Sequence, residues 1–294
     1  MAAIAPTGDR AGTAAPAPVR ARRRTGTIVG AVAAWLIGIV FVVPILYMVL
    51  TSLHRPQDAQ TYPPSWTAGL TWSNYHQLFN TSDGIIVPLL NSAFTSIVST
   101  ALVLVLAVPA AYALAVRPVR RWTDAMFFFL STKMLPMVAG ILPIYLFTTK
   151  VIHMPDNVFV LVVLYTSMNL PIAVWMMRSF LAEVPPAIIE AASIDGAGTM
   201  TIMTRIIAPI ATPGAAATAL ICFIFAWNEQ LYAKVLTSVN AQTAPVFVNT
   251  LIQTEHSYLG VLSAGATMVS IPVLFAGFAA QDKLVQGLSL GAVK

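Results

Sequence analysis

Only 9% of the 294 residues are charged, so polar groups set among apolar runs stand out. Glu190, Asp195 and Arg205 lie together between two strongly apolar runs. A carboxylate beside a turn can anchor backbone N–H groups or a basic residue of a docked protein. The block Trp227-Asn228-Glu229-Gln230-Leu231-Tyr232 interrupts a second apolar run, and Lys133 a third. Ionisable residues at membrane depth are costly and are functional candidates by default. Asn228, Glu229 and Tyr232 can face a polar pathway. An equally weighted reading puts Glu229 at the outer interface or against a partner helix. Lys133 has three readings: it snorkels, pairs with Glu229 or lines a cavity. Tyr165 and Asn169 are four residues apart and share a helix face. Asn169 lies close to Pro171, however, and can equally serve a carbonyl that the proline frees.

Other chemistries find no residues to carry them. There is no Gly-x-x-x-x-Gly-Lys-Ser/Thr phosphate loop, no nucleophile–base pair and no carboxylate dyad. His54, His76, His153 and His256 are scattered without ligand spacing. Cys222 is the single cysteine, so an internal disulfide is impossible and no metal site can be built on it. The chain is therefore expected to be no enzyme and to need no cofactor or metal.

The elements that hold these groups are membrane spans. The chain is 57% hydrophobic, whereas a soluble domain carries about 25% charged residues. A net charge of +5 reads as membrane topology rather than nucleic-acid binding, because the basic residues flank apolar runs. Residues 1–26 are rich in Ala, Pro, Gly and Thr with a basic end. They are expected to form a disordered cytoplasmic tail ahead of a transmembrane domain, residues 27–294. The run Ile28 to Leu50 exceeds a signal-peptide core of ~7–15 residues and is long enough to span. Pro44 is expected to kink it. Further spans are expected from about Ile85 or Asn91 to Val116, Asp124 to Phe147, Val158 to Met177, Ile210 to Leu236 and Leu259 to Ala280. Pro136 and Pro143 are the expected breaks in the third. Residues 51–84 and 237–258 read as polar loops, the former with interface aromatics Trp66, Trp72 and Tyr75.

Six spans put both termini on one side. With the N-terminus cytoplasmic, twelve Lys/Arg lie inside, among them Arg20, Arg117, Arg120, Arg178 and Arg205. Three lie outside: Arg55, Lys150 and Lys234. The positive-inside rule then gives cytoplasmic termini and a cytoplasmic loop around Asp195.

That loop, residues 183–209, has a definite local pattern. Pro185 and Pro186 suit a helix start, and Ala187 to Ala192 is a good helix former. Asp195-Gly196 signals a turn. Thr199 to Ile207 reads as a second short helix that Pro209 ends, unless the proline starts the next element. Glu190-Ala191-Ala192, Asp195-Gly196-Ala197, Ile206 and Pro209 closely resemble the Glu-Ala-Ala coupling loop of ABC importer permeases. Ala208 stands where that family usually has Leu. The resemblance covers nearly all of the chain from Ile28, and the tail Gln286 to Lys294 is similar to that of the maltose-type permease subunit.

The resemblance implies an all-α, six-span, type I importer permease of the carbohydrate-uptake class in a bacterial plasma membrane. It implies a second permease subunit in a heterodimer, two ATP-binding subunits and an extracytoplasmic solute-binding protein. The coupling loop would dock an ATPase, with Ala191, Ala192 and Ala197 allowing close approach, and the C-terminal tail can contact the ATPase dimer. Related carbohydrate permeases carry a similar Trp-Asn-Glu/Asp pattern near Trp227, where the indole would stack on a sugar ring. The solute would be a sugar, polyol or oligosaccharide, moved by alternating access. The main rival is a proton-coupled secondary transporter using Glu229. The chain is short for that, and no internal repeat is evident.

Overall fold

The computed structural model describes residues 22–63, 65–80, 84–116, 119–253 and 259–290. Among them the regular structure is helical, apart from one isolated antiparallel bridge, His54–Leu70. In chain order the helices are α1 (Arg22–Ser52), α2 (Ser73–Asn80), α3 (Ile86–Val116), α4 (Trp122–Met134) and α5 (Met137–Leu146). A π turn, Phe147–Val151, extends α5. Then come α6 (Val158–Leu181), α7 (Pro186–Ile194), α8 (Thr199–Thr201), a second π segment (Ile202–Ile207) and α9 (Ala208–Trp227). The last three are α10 (Leu231–Leu236), α11 (Ala244–Gln253) and α12 (Leu259–Leu290).

The chain divides into two units, residues 1–47 and 48–294. In its described part the first unit is a single helical stretch beginning at Arg22, inside the segment expected to be disordered. Trp35 and Phe41 on it are exposed. The rest of the expected tail, residues 1–21, lies outside the described residues, as do the final four.

Among the described residues five helices are long and apolar enough to cross a membrane, and a sixth span follows if α4 and α5 count as one. That pair is bent by 83°. Leu135 and Pro136 both have ψ near 124°, an extended backbone. A residue before proline is pushed out of the helical region in this way. Pro143 was the other expected break, but α5 runs through it. Membrane helices tolerate internal proline where neighbours re-satisfy the freed groups.

Within the second unit α3 packs against α6 along a buried stripe of Ser92, Thr95, Ser96, Ser99 and Thr100. Small side chains let two backbones approach closely. The hydroxyls of Thr95, Ser96 and Ser99 bond back to carbonyls of α3 itself, and Ser92 Oγ accepts from Ala244 N–H. Helix α9 packs on α3, α6 and α12. A Cβ added at Gly214 would collide with Cγ of Phe180, so glycine is what permits the α6–α9 crossing. One end of this unit is sealed by Tyr112, Met126, Met177, Leu181, Ile202 and Ile207. Leu78, Ile85, Phe247, Val261 and Ala264 form a second cluster. Two expected loops thus contain helices: α2 lies within residues 51–84, held by buried Leu78 and by Asn74 donating to the Ser52 and His54 carbonyls, and α11 lies within 237–258 with Val246 and Phe247 buried.

Candidate functional site

Helix α7 opens with Pro186 at its first turn, where the missing N–H costs nothing. It closes in a Schellman motif. Gly196 N–H donates to Ser193 O at 3.2 Å and Ala197 N–H to Ala192 O at 3.0 Å. Gly196 has φ +80°, the left-handed conformation such a cap requires. The turn therefore lies at Asp195-Gly196, where the residue types put it.

The second short helix does not exist as a separate element. Thr199 runs through the π segment into α9 without a break, so Pro209 does not end it. Proline clashes with the carbonyl four residues back. The wider π turn lies just upstream, with Ala208 N–H donating to Met203 O, five residues back. Glu190, Ala191, Asp195 and Pro209 are exposed, and Ile206 and Ala197 are half-buried. Ala192, expected to offer a small docking face, instead packs inward with Ile202 and Ile207. Sequence reading missed the exposed apolar side chains beside the turn. Ile194 is 85% exposed and Met200 68%. Isoleucine in an apolar chain reads as core, and only the turn geometry turns it outward.

The second polar group surrounds a cavity of about 800 Å³, lined by Lys133, Ser167, Phe225, Asn228, Glu229 and Tyr232 among others. The broken elements create it. The α4–α5 break forms one wall, α6 a second and the gap between α9 and α10 a third. The fifth span was expected to run to Leu236, but α9 stops at Trp227. Asn228 Nδ2 bonds the Ile224 carbonyl at 2.8 Å, capping the end of α9. Glu229 caps the start of α10. Its carboxylate accepts from Tyr232 N–H at 2.9 Å and Ala233 N–H at 3.3 Å. The expected Lys133–Glu229 pair is absent among the described residues. Lys133 Nζ instead lies 6.0 Å from the Phe225 ring centre.

Three candidates lie elsewhere. Trp227 is buried and donates Nε1–H to the Val269 carbonyl at 3.1 Å, so its ring ties α9 to α12 and offers no face to a solute. Tyr165 is buried with Leu161, Ala226 and Ala233. Asn169 is fully buried and makes a long bond, 3.4 Å, from Nδ2 to the Cys222 carbonyl. It thus serves a neighbouring helix rather than the carbonyl freed by Pro171.

One residue went unnoticed in the sequence. Asp156, at φ +51°, accepts six hydrogen bonds from the loop after α10. They come from the N–H groups of Ser238, Val239, Asn240 and Ala241, from Ser238 Oγ and from Asn240 Nδ2, at 2.8–3.2 Å. Burial pushes this carboxyl up, but the N–H donors of Ser238, Asn240 and Ala241 outweigh it and hold it well below the usual carboxylate range. Asn91 adds bonds from Nδ2 to the carbonyls of Asn240 and Gln242. The loop beyond the cavity is thereby tied to the starts of α3 and α6.

Comparison with known proteins follows the same outline. Residues 104–290 match the family described as binding-protein-dependent transport system inner membrane component. A probable ABC transporter permease protein, y4oR, of Sinorhizobium fredii is 35% identical over 88% of this chain and 92% of its own length. The trehalose transport system permease protein SugB of Mycobacterium tuberculosis is 30% identical over 85% and 92%. A solved structure of a bacterial ABC transporter involved in import of the acidic polysaccharide alginate superposes with TM-score 0.71 at 23% identity. It covers 90% of this chain and 99% of that one.

Proposed function

The chain belongs to the binding-protein-dependent transport system inner membrane component family, and we propose that it carries a sugar, polyol or oligosaccharide through the cavity between α4 and α10. As a permease component it is not itself an enzyme, and ATP hydrolysis falls to a partner ATPase. A proton-coupled secondary transporter is not supported: the family is a different one, and the Glu229 carboxylate is engaged in capping α10.

In this reading the chain pairs with a second permease subunit and two ATP-binding subunits, and receives solute from an extracytoplasmic binding protein. The Lys/Arg distribution orients it with both termini and the Gly196 turn in the cytoplasm. Glu190, Ala191, Asp195 and Gly196, with Ile194 and Met200, form the surface that docks an ATPase.

A single observation carries the reading. One uninterrupted helical rod, Thr199–Trp227, 29 residues, begins at the turn and ends at the cavity. At 1.5 Å per residue it is about 43 Å long. Movement of the turn on ATP closure therefore displaces the cavity wall at Asn228, which is what alternating access requires.

Gly196→Val places a β-branched residue at φ +80° and should distort the Schellman turn. Glu190→Lys reverses the charge of the docking face. Both variants should insert in the membrane yet lose ATPase co-purification or solute-stimulated ATP hydrolysis in proteoliposomes. Normal values for both in both assays would remove the loop from coupling.

A further inference from the structure

Lys133 makes no ion pair among the described residues. It lies near the end of α4, two residues before the Leu135-Pro136 break. Eleven residues separate it from Trp122, about 16 Å along the helix, or roughly half the hydrocarbon core of a bilayer. The ion pair among the described residues is Arg121–Asp124, at the other end of α4. Glu229, the acid in the described cavity lining, accepts from Tyr232 and Ala233 N–H. An ammonium at this depth is strongly penalised unless something neutralises it.

The surrounding lining says what that something is. Besides Lys133, the cavity presents Asn228, Gln230 and Tyr232, the exposed ring of Phe225 beside Nζ, and the Glu229 carboxylate, whose charge is met by two N–H groups at the start of α10. Asn228 spends its amide N–H on Ile224, which leaves Oδ1 to accept from a hydroxyl. The remaining lining is largely apolar. The combination suits a pyranose with its hydroxyls towards the amides, a ring face over Phe225 and a fixed negative charge at Lys133. We infer that Lys133 determines specificity and that the transported solute is an anionic sugar, bearing a carboxylate or sulfonate. This rests on the cavity being the solute path.

The test uses the assembled transporter in membrane vesicles, with Cys222→Ser and Ser167→Cys. Ser167 lines the same cavity and is exposed. Cysteine modification is timed with a sulfonate-bearing and a trimethylammonium-bearing methanethiosulfonate of similar size. Digalacturonate and the neutral disaccharide lactose serve as protectants. Each rate is divided by that of the same reagent with a free thiol in solution, because a thiolate intrinsically favours the cationic reagent. On that scale the sulfonate reagent should react faster by about tenfold, a ratio of the size that one nearby unit charge imposes. Lys133→Met should bring the ratio to about one, and Lys133→Arg should keep it. Digalacturonate should protect better than lactose only where the cation is present.

Reaction and protection without any charge preference would overturn the anionic assignment and leave the pathway reading intact. That result is also expected if a carboxylate of the second permease subunit neutralises Lys133. A cysteine that neither reagent reaches in any state, and neither sugar protects, would remove the cavity from the solute path, and the inference with it.

Discussion

Asp156 is the most heavily engaged side chain in the described structure, and its environment sets a clear expectation. Asp156→Ala strips the acceptors from four backbone N–H groups at 238–241. Each loses a charge-assisted bond, although water replaces part of it at this partly exposed site. A loss of about 1–3 kcal/mol is expected, read as faster amide hydrogen exchange at 238–241 with little change in the Ala192 cluster. The pH dependence follows from the lowered carboxyl. A group depressed on folding stabilises fully above its unfolded value, about 3.9 for aspartate. That contribution fades as pH falls towards the lower folded value. Wild type and Asp156→Ala should therefore differ at pH 7 and converge in strong acid. A difference that grows on acidification would contradict the assignment. Asp156 was illegible in the sequence because its partners lie 82 to 85 residues away in a loop with no signature. Glu229 shows the opposite case. Its rarity in an apolar run singled it out as a pathway candidate, and its neighbours give it a capping task. Glu229→Gln keeps one acceptor and should cost less than Glu229→Ala, for which about 0.5–2 kcal/mol is typical of a lost cap. Thermal unfolding in detergent compares the two.

At the scale of elements, spans were the easiest feature to read, because twenty apolar residues have few alternative fates. The start of α6, the end of α3 and the break at Pro136 lie where hydropathy and proline chemistry put them. The gap at Asn228–Gln230 and the two π segments did not announce themselves. For the gap, α10 is held in place by Glu229 and by the loop that Asp156 clamps. Helix contact was equally hidden. Gly214 reads as an ordinary small residue in a span, yet it sets the distance between α6 and α9. Gly214→Val puts a Cβ into Phe180 Cγ, so the ring or the helix must move. Overpacking of this kind typically costs about 1–3 kcal/mol. The expected result is a lower midpoint of thermal unfolding in detergent, partly restored by Phe180→Ala in the same chain. Failure of that second change to restore anything would show that the contact is not what Gly214 protects.

For the whole molecule, orientation and transmission can be tested together. In a Cys222→Ser background, a cysteine replacing Ala197 should resist an impermeant thiol reagent added to intact cells, while one replacing Val239 should react. Val239 is exposed and lies in the loop clamped by Asp156. The reverse pattern would invert the topology. Transmission depends on the rod from Thr199 to Trp227 being stiff. Its least regular part is the π segment, where Thr204 and Arg205 are exposed and make no contact that seals the core. Replacing both with glycine costs roughly 0.5–1 kcal/mol of helix propensity at each site. The Schellman turn, Ile194 and Met200 remain as they were, so the ATPase should still co-purify. What should fall is solute-stimulated ATP hydrolysis, because a softened segment absorbs the movement of the turn before it reaches Asn228. Thr204→Ala with Arg205→Ala removes the same side chains but keeps the helix stiff, and should leave stimulation near normal. Equal loss in the glycine and alanine pairs would assign the effect to the side chains. Equal retention would show that the rod does not carry the signal and that the cavity opens through another helix.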